Sequence, residues 1–133
     1  KKERVEKMKS FGGKAIGLSG KDQELFKVKK IKYPKKGIEL GRVGEIIKVN
    51  VSYIFELQKK GLIPVIAPIG VNSKGLAFNI NGDYAASKIA ASLNAEKLII
   101  LTDVEGIRDM ENNLTYSITK KKANSLIKQG VIV

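Results

Sequence analysis

The stretch Asn79-Ile80-Asn81-Gly82-Asp83 decides the fold reading, because it lies where a loop turns into a helix between two apolar, strand-like runs. Upstream stands Ile63-Pro64-Val65-Ile66-Ala67-Pro68-Ile69-Gly70, and downstream Lys97-Leu98-Ile99-Ile100-Leu101-Thr102-Asp103-Val104-Glu105-Gly106. Strand, polar loop, helix, strand, acidic loop is the order of an α/β ligand site, where polar groups gather at the carboxyl ends of parallel strands. Asp83 alone is explained by a helix cap or a first-turn acid stabilised by the helix dipole. Asn79 and Asn81 beside it exceed what one cap requires. The cluster points to a small-molecule enzyme.

Working outward, Asp83 to Leu93 predicts a helix with Ala85, Ala86, Ile89, Ala90 and Leu93 as its apolar stripe. Lys97 to Leu101 predicts a second buried strand. Leu62 to Ile69 is a continuous apolar run, as expected of a strand covered on both faces, although Pro64 and Pro68 argue against unbroken pairing. Val71 to Ala77 reads as a loop turning at Asn72-Ser73-Lys74-Gly75. Asn50 caps a helix running to Lys60, with Gly61 as its stop. Two extended runs, Leu25 to Tyr33 and Ile38 to Val49, about Pro34-Lys35-Lys36-Gly37 predict a β-hairpin. Residues 1–10, with Val5 and Met8 on one face, predict a helix, and Lys14 to Leu18 a strand. Thr119 to Gln129 is the last helix, ended by Gly130. The fold class is α/β, a mostly parallel sheet with right-handed crossovers.

A chain of 133 residues predicts one domain or part of one. It opens at Lys1 and closes on the apolar Val131-Ile132-Val133, so both ends read as cut from something longer. No apolar run nears the ~20 residues that span a bilayer and no signal peptide is visible, which predicts a cytoplasmic protein with no membrane partner. With no Cys and no His, chemistry must run on Lys, carboxylates, amides, hydroxyls and backbone N–H groups, with no metal site of its own. The net charge of +12 raises nucleic acid as a partner. Arginines number only Arg4, Arg42 and Arg108, the lysines are dispersed, and the aromatic residues are scattered. A solvated Lys-rich surface is the better reading, with no specific nucleic-acid interface.

Thr102-Asp103-Val104-Glu105-Gly106-Ile107-Arg108-Asp109 follows directly on a strand-like run, where open α/β sheets collect ligand contacts. Acid–Gly loops are usually plain turns. Beside the Asn79–Asp83 cluster this one becomes a plausible nucleotide loop. Phe11-Gly12-Gly13-Lys14 through Gly17-Leu18-Ser19-Gly20-Lys21-Asp22 has neither Walker A spacing nor a dinucleotide fingerprint, so its glycines read as turn and packing positions.

That last run closely resembles the mid-chain segment of the N-acetylglutamate kinases, members of the amino acid kinase family. The resemblance continues through Leu40-Gly41-Arg42-Val43-Gly44-Glu45, Gly61 to Gly70, Phe78-Asn79-Ile80-Asn81-Gly82-Asp83 and Leu101-Thr102-Asp103-Val104-Glu105-Gly106-Ile107, and ends at Gln129-Gly130. It implies a three-layer αβα sandwich with a β-hairpin insertion, incomplete at both ends. Residues 1–80 would form mainly the substrate side of one domain, and 81–133 the start of the ATP side. It further implies transfer of the γ-phosphoryl of MgATP to the side-chain carboxylate of N-acetyl-L-glutamate, in arginine biosynthesis. ATP and Mg²⁺ are the implied cofactors. By position, Asn79 corresponds to a substrate-binding residue and Asp83 to the acid that organises catalytic lysines. Asp103, Val104, Glu105, Gly106, Ile107 and Arg108 correspond to the ATP-binding loop. Gly82 stands where Ala is usual, and Gln23 where Gly often follows Ser-Gly-Lys-Asp.

The family's glycine-rich loops and catalytic lysines fall outside this chain, which implies that the isolated 133 residues are inactive. A homo-oligomer and a PII-type regulator are further implied partners. Alternatives are a sister kinase acting on carrier-protein-linked glutamate or aminoadipate, an ATP-binding regulatory remnant, and a basic nucleic-acid-binding module.

Overall fold

A computed structural model describes residues 2–31 and 41–131 of the chain. They fall into two compact units, Lys1–Leu98 and Ile99–Val133.

In the first unit, helix α1 (Lys2–Ser10) leads into strand β1 (Ala15–Ser19) and packs on it. A one-turn 3-10 helix (Asp22–Glu24) precedes strand β2 (Phe26–Lys30), which pairs antiparallel with β3 (Gly44–Val49). This is the expected hairpin, from Phe26↔Val49 to Lys30↔Gly44; its Pro34–Gly37 turn lies outside the described residues. Helix α2 (Val51–Lys59) follows, and the Asn50 side chain accepts the Tyr53 N–H as its cap. The same Asn50 donates through Nδ2 to the Gln23 carbonyl at 2.9 Å, tying the turn before β2 to the head of α2.

The apolar run expected as one strand divides at Pro68. Strand β4 (Ile63–Ala67) pairs in parallel with β1, while β5 (Ile69–Val71) belongs to a different sheet. Proline has no N–H to give to a ladder, so the chain steps from one sheet to the other there. Nor is the run covered on both faces: Ile63 and Ile69 are 46% and 38% exposed. Residues 71–77, read as a loop, are a tight turn held by Asn72, whose Oδ1 accepts from the N–H groups of Lys74 and Leu76 at 3.0 and 2.9 Å. Beyond it β6 (Ala77–Asn79) pairs antiparallel with β5, giving a four-stranded sheet in the order β3-β2-β5-β6. Helix α3 (Gly82–Ser92) closes the unit and packs on β3, with Ala85 fully buried. Helices around parallel and mixed strands give the α/β class read from the sequence.

Leu25 and Phe26 are the centre of the core, each 0% exposed, and Leu18, Ile54, Leu57 and Ile80 pack around them. Burying each such side chain stabilises the fold by roughly 1.5–3 kcal/mol. Gly20 is the fitting point between β1 and the second sheet. Its N–H donates to the Ile69 carbonyl at 2.6 Å, and a Cβ there would meet that carbonyl and the Phe26 ring. The Ser19–Asp22 turn is therefore a packing element, as its spacing suggests; Asp22 Oδ2 accepts from Ser19 N and Oγ at 2.6 and 2.9 Å.

One expected strand is absent. Leu98, Ile99, Ile100 and Leu101 are 43%, 73%, 45% and 94% exposed and in no strand. An apolar run forms a buried strand only with hydrogen-bonding neighbours beside it. Among the described residues none pairs with it.

The second unit holds a short hairpin, β7 (Ile107–Arg108) and β8 (Leu114–Thr115), then helix α4 (Lys120–Lys128). Thr119 caps α4 by accepting the Lys122 N–H at 3.3 Å, and Gly130 follows with φ +72°, as the sequence predicts.

Candidate active site

The Asn79–Asp83 segment is anchored through its backbone and open through its side chains. Asn79 sits between Ile69 of β5 and Val43, and its N–H donates to the Arg42 carbonyl at 2.7 Å. Ile80 is buried, 2% exposed, and its N–H donates to the Pro68 carbonyl at 2.9 Å. Pro68 follows immediately on β4, so this bond ties the segment to the carboxyl ends of the parallel β1–β4 pair. That is the position the sequence pattern implies for a ligand site. Side chains alternate in an extended segment, so Ile80 points inward while Asn79 and Asn81 are exposed.

The three polar residues divide their work. Asn81 is the cap: its Oδ1 accepts the Tyr84 N–H at 2.9 Å at the start of α3. Asp83 is relieved of that task. Its carboxylate is exposed in the first turn of α3, where the helix dipole favours negative charge, and it makes no hydrogen bond or ion pair with the described residues. Asn79 likewise has an exposed side chain beyond a fully committed backbone. Gly82 has no atom within 4 Å of where a Cβ would stand, so an alanine fits there without rearrangement. Lys88 Nζ stands 5.4 Å from the Tyr84 ring centroid, and the buried Tyr84 hydroxyl has no partner among the described residues.

In the second unit, Asp103, Val104, Glu105, Gly106, Ile107 and Arg108 line one cavity of about 620 Å³, together with Asp109, Asn112 and Val131. All six residues read as a nucleotide loop thus share one concave surface. Its shape is fixed from within. Arg108 donates to the Asn112 carbonyl at 2.9 Å and to Glu105 Oε2 at 3.0 Å. Asp109 Oδ1 accepts the N–H groups of Glu111 and Asn113, both at 2.9 Å, closing the turn between β7 and β8. The Asn113 amide, seconded by that of Glu111, holds the Asp109 carboxyl below its ordinary value. Thr102 Oγ1 donates to Asp103 Oδ1 at 3.3 Å.

Asn112 and Val131 escaped the sequence reading as wall residues. For Asn112 the signal was there, because Asp109 followed by Asn112 and Asn113 is turn chemistry. Val131 carried no signal. Among the described residues no group of three or more His, Cys, Asp or Glu side chains is placed to hold a metal ion.

The profile of the Amino acid kinase family matches residues 2–133. The chain belongs to the amino acid kinase family. Among curated members, an acetylglutamate kinase of Aquifex aeolicus (strain VF5) is 48% identical over 127 residues, which are 89% of this chain and 43% of that protein. An acetylglutamate kinase of Neisseria meningitidis serogroup C (strain 053442) is 41% identical over 134 residues, 98% of this chain and 45% of that protein. The chain therefore spans less than half the length of these family members. Among solved structures, smu.665 from Streptococcus mutans UA159 superposes with a TM-score of 0.80 at 29% identity, over 96% of this chain and 50% of that one. An N-acetylglutamate synthase from Neisseria gonorrhoeae, complexed with coenzyme A and L-arginine, superposes with a TM-score of 0.65 at 27% identity, over 83% of this chain and 25% of that one. Among the described residues no helix is long and apolar enough to cross a membrane.

Proposed function

We propose that this chain carries the central part of an acetylglutamate kinase, which phosphorylates the side-chain carboxylate of N-acetyl-L-glutamate with ATP. The observation that carries the reading is the division of labour at the head of α3, where Asn81 caps the helix and leaves Asn79 and Asp83 free. Identity of 41–48% to curated acetylglutamate kinases supports the choice of substrate.

The chemistry suits the residues present. A carboxylate acceptor is ionised at neutral pH, so no base is needed to activate it and the lack of His and Cys is no handicap. Asn79 offers an amide donor and acceptor to the acetamido group of the substrate. Asp83 orients cationic side chains around the transferring group. Asp103 to Arg108 form the wall against which the nucleotide is held, with Arg108 keeping that wall in shape through Glu105 and Asn112. MgATP would supply the phosphoryl group, and Mg²⁺ bound with it would neutralise charge on its phosphates. A homo-oligomer, a PII-type regulator and a cytoplasmic location belong to the same proposal.

The test is to incubate the full-length protein with ATP, Mg²⁺ and N-acetyl-L-glutamate and trap the acyl phosphate with hydroxylamine. Hydroxamate that depends on N-acetyl-L-glutamate, and not on a carrier-linked glutamate or aminoadipate, supports the proposal. Hydroxamate formed only from a carrier-linked substrate moves it to a sister kinase. ATP binding without any hydroxamate refutes it.

A further inference from the structure

Away from this site, the outer face of the β2–β3 hairpin breaks a rule of strand pairing. Lys27 and Lys48 stand directly opposite one another across the antiparallel ladder, where like charges repel. The register then shifts: Val28 pairs with Ile46, so Ile47 is the extra residue of a β-bulge and is 60% exposed. Val28 and Ile46 are buried, which puts Lys27, Lys48 and Lys29 together on the solvent side. Lys27, Lys29, Lys30 and Ile47 line a groove of about 710 Å³ whose other wall includes Asn72 and Ser73 of the turn after β5. Two glutamates temper this face: Glu24 lies 3.0 Å from Lys27 and Glu45 lies 3.2 Å from Lys29. Both pairs are exposed, contribute little to stability, and yield readily to a stronger anion. The groove itself is lined by three lysines, Lys27, Lys29 and Lys30, against one glutamate, Glu24, with Lys48 beside it across the ladder from Lys27, so it is positive.

We propose that this groove binds a small polyphosphate anion. Lys ammonium groups are compact point charges suited to phosphate oxygens, and the Ser73 hydroxyl adds a neutral donor. An anion seated against Lys27 cancels its repulsion with Lys48, which accounts for a pairing that opposes the hairpin when nothing is bound. Among the described residues the nearest aromatic on these strands, Phe26, is buried, so they offer no platform for stacking bases and favour a small anion over a nucleic acid strand. The inference is independent of the kinase reading.

The test is calorimetric titration of the full-length protein with inorganic triphosphate at physiological ionic strength. Saturable binding is expected, weakened about tenfold or more by Lys27→Ala with Lys48→Ala. One comparison variant should bind as the parent does: Lys59→Ala with Lys60→Ala at the end of α2. Lys48→Ala alone should also raise the thermal midpoint without ligand, a gain that a merely structural lysine would not give. Absence of saturable binding overturns the proposal, as does an equal loss in the Lys59/Lys60 pair, which signals diffuse attraction. Tighter, Lys27/Lys48-dependent binding of a single-stranded oligonucleotide would replace it with a nucleic-acid surface.

Discussion

Two polar loops, each reached from a strand-like run, use their residues in opposite ways. In Asn79–Asp83 the backbone is committed to the sheet, through Arg42 and Pro68, while two of three polar side chains make no bond. In Asp103–Asn113 the side chains bind the loop itself: Arg108 to Glu105 and Asn112, and Asp109 to the amides of Glu111 and Asn113. A loop braced by a sheet can leave its side chains for a ligand. A loop without that brace must use its side chains to hold a shape, and can present a ligand mainly with that shape. Composition alone does not tell these cases apart, since both stretches read as acids and amides with a glycine.

The contrast can be broken in order of expected size. Ile80→Ala should be the most damaging change for stability, about 2–5 kcal/mol for a buried large-to-small substitution, measured by urea unfolding. A smaller loss than at any exposed neighbour would mean that the segment is not anchored through Ile80. Asn79→Ala should instead leave the urea midpoint in place and raise KM for N-acetyl-L-glutamate about tenfold, near what one lost hydrogen bond costs. An unchanged KM with a lowered midpoint would make Asn79 structural. Asn81→Ala should cost about 0.5–2 kcal/mol, the loss of a helix cap. If Asp83→Ala costs as much, the division of labour is wrong.

The smallest effect is on pH. The Asp109 carboxyl is held below its ordinary value of 3.8 when folded, so the stability it lends is present above that value. It is lost as pH falls through the lower folded value. Amide exchange at Glu111 and Asn113 should therefore accelerate only in strong acid, and Asp109→Asn should remove the step. A transition above pH 5 would contradict the assignment.

Much of the fold was legible because local signals and tertiary demands agreed. Asn50, Thr119 and Gly130 cap or stop helices where their chemistry predicts, and the small stripe of α3 points inward at Ala85. The hairpin of β2 and β3 was visible from alternation in its first strand, where Phe26 and Val28 point in and Lys27 and Lys29 out. Reading failed where pairing decides the outcome. An apolar run does not say which sheet it joins, so the break at Pro68 was seen as a disturbance and not as a change of sheet. Leu98 to Leu101 looks like a buried strand by composition, yet composition supplies no partner. At the site, the positions of Asn79 and Asp83 were legible, but Asn81 was not separable as the cap. The sequence reading gives the capping role to Asp83; the structure gives it to Asn81, because the helix begins one residue earlier, at Gly82.

Asp83 is proposed to be held in place for chemistry, adding to the fold only the small dipole contribution of a first-turn acid. The direct measurement is Asp83→Asn in the full-length protein, read as kcat for acetylglutamate-dependent ADP formation beside the urea midpoint of the same preparation. A fall in kcat of about 10²–10³-fold is expected, the size seen when one preorganised electrostatic group is removed, with ATP affinity unmoved and the midpoint lowered by no more than the loss of a first-turn charge. Unchanged turnover, or a loss that merely follows a drop in stability, would contradict it.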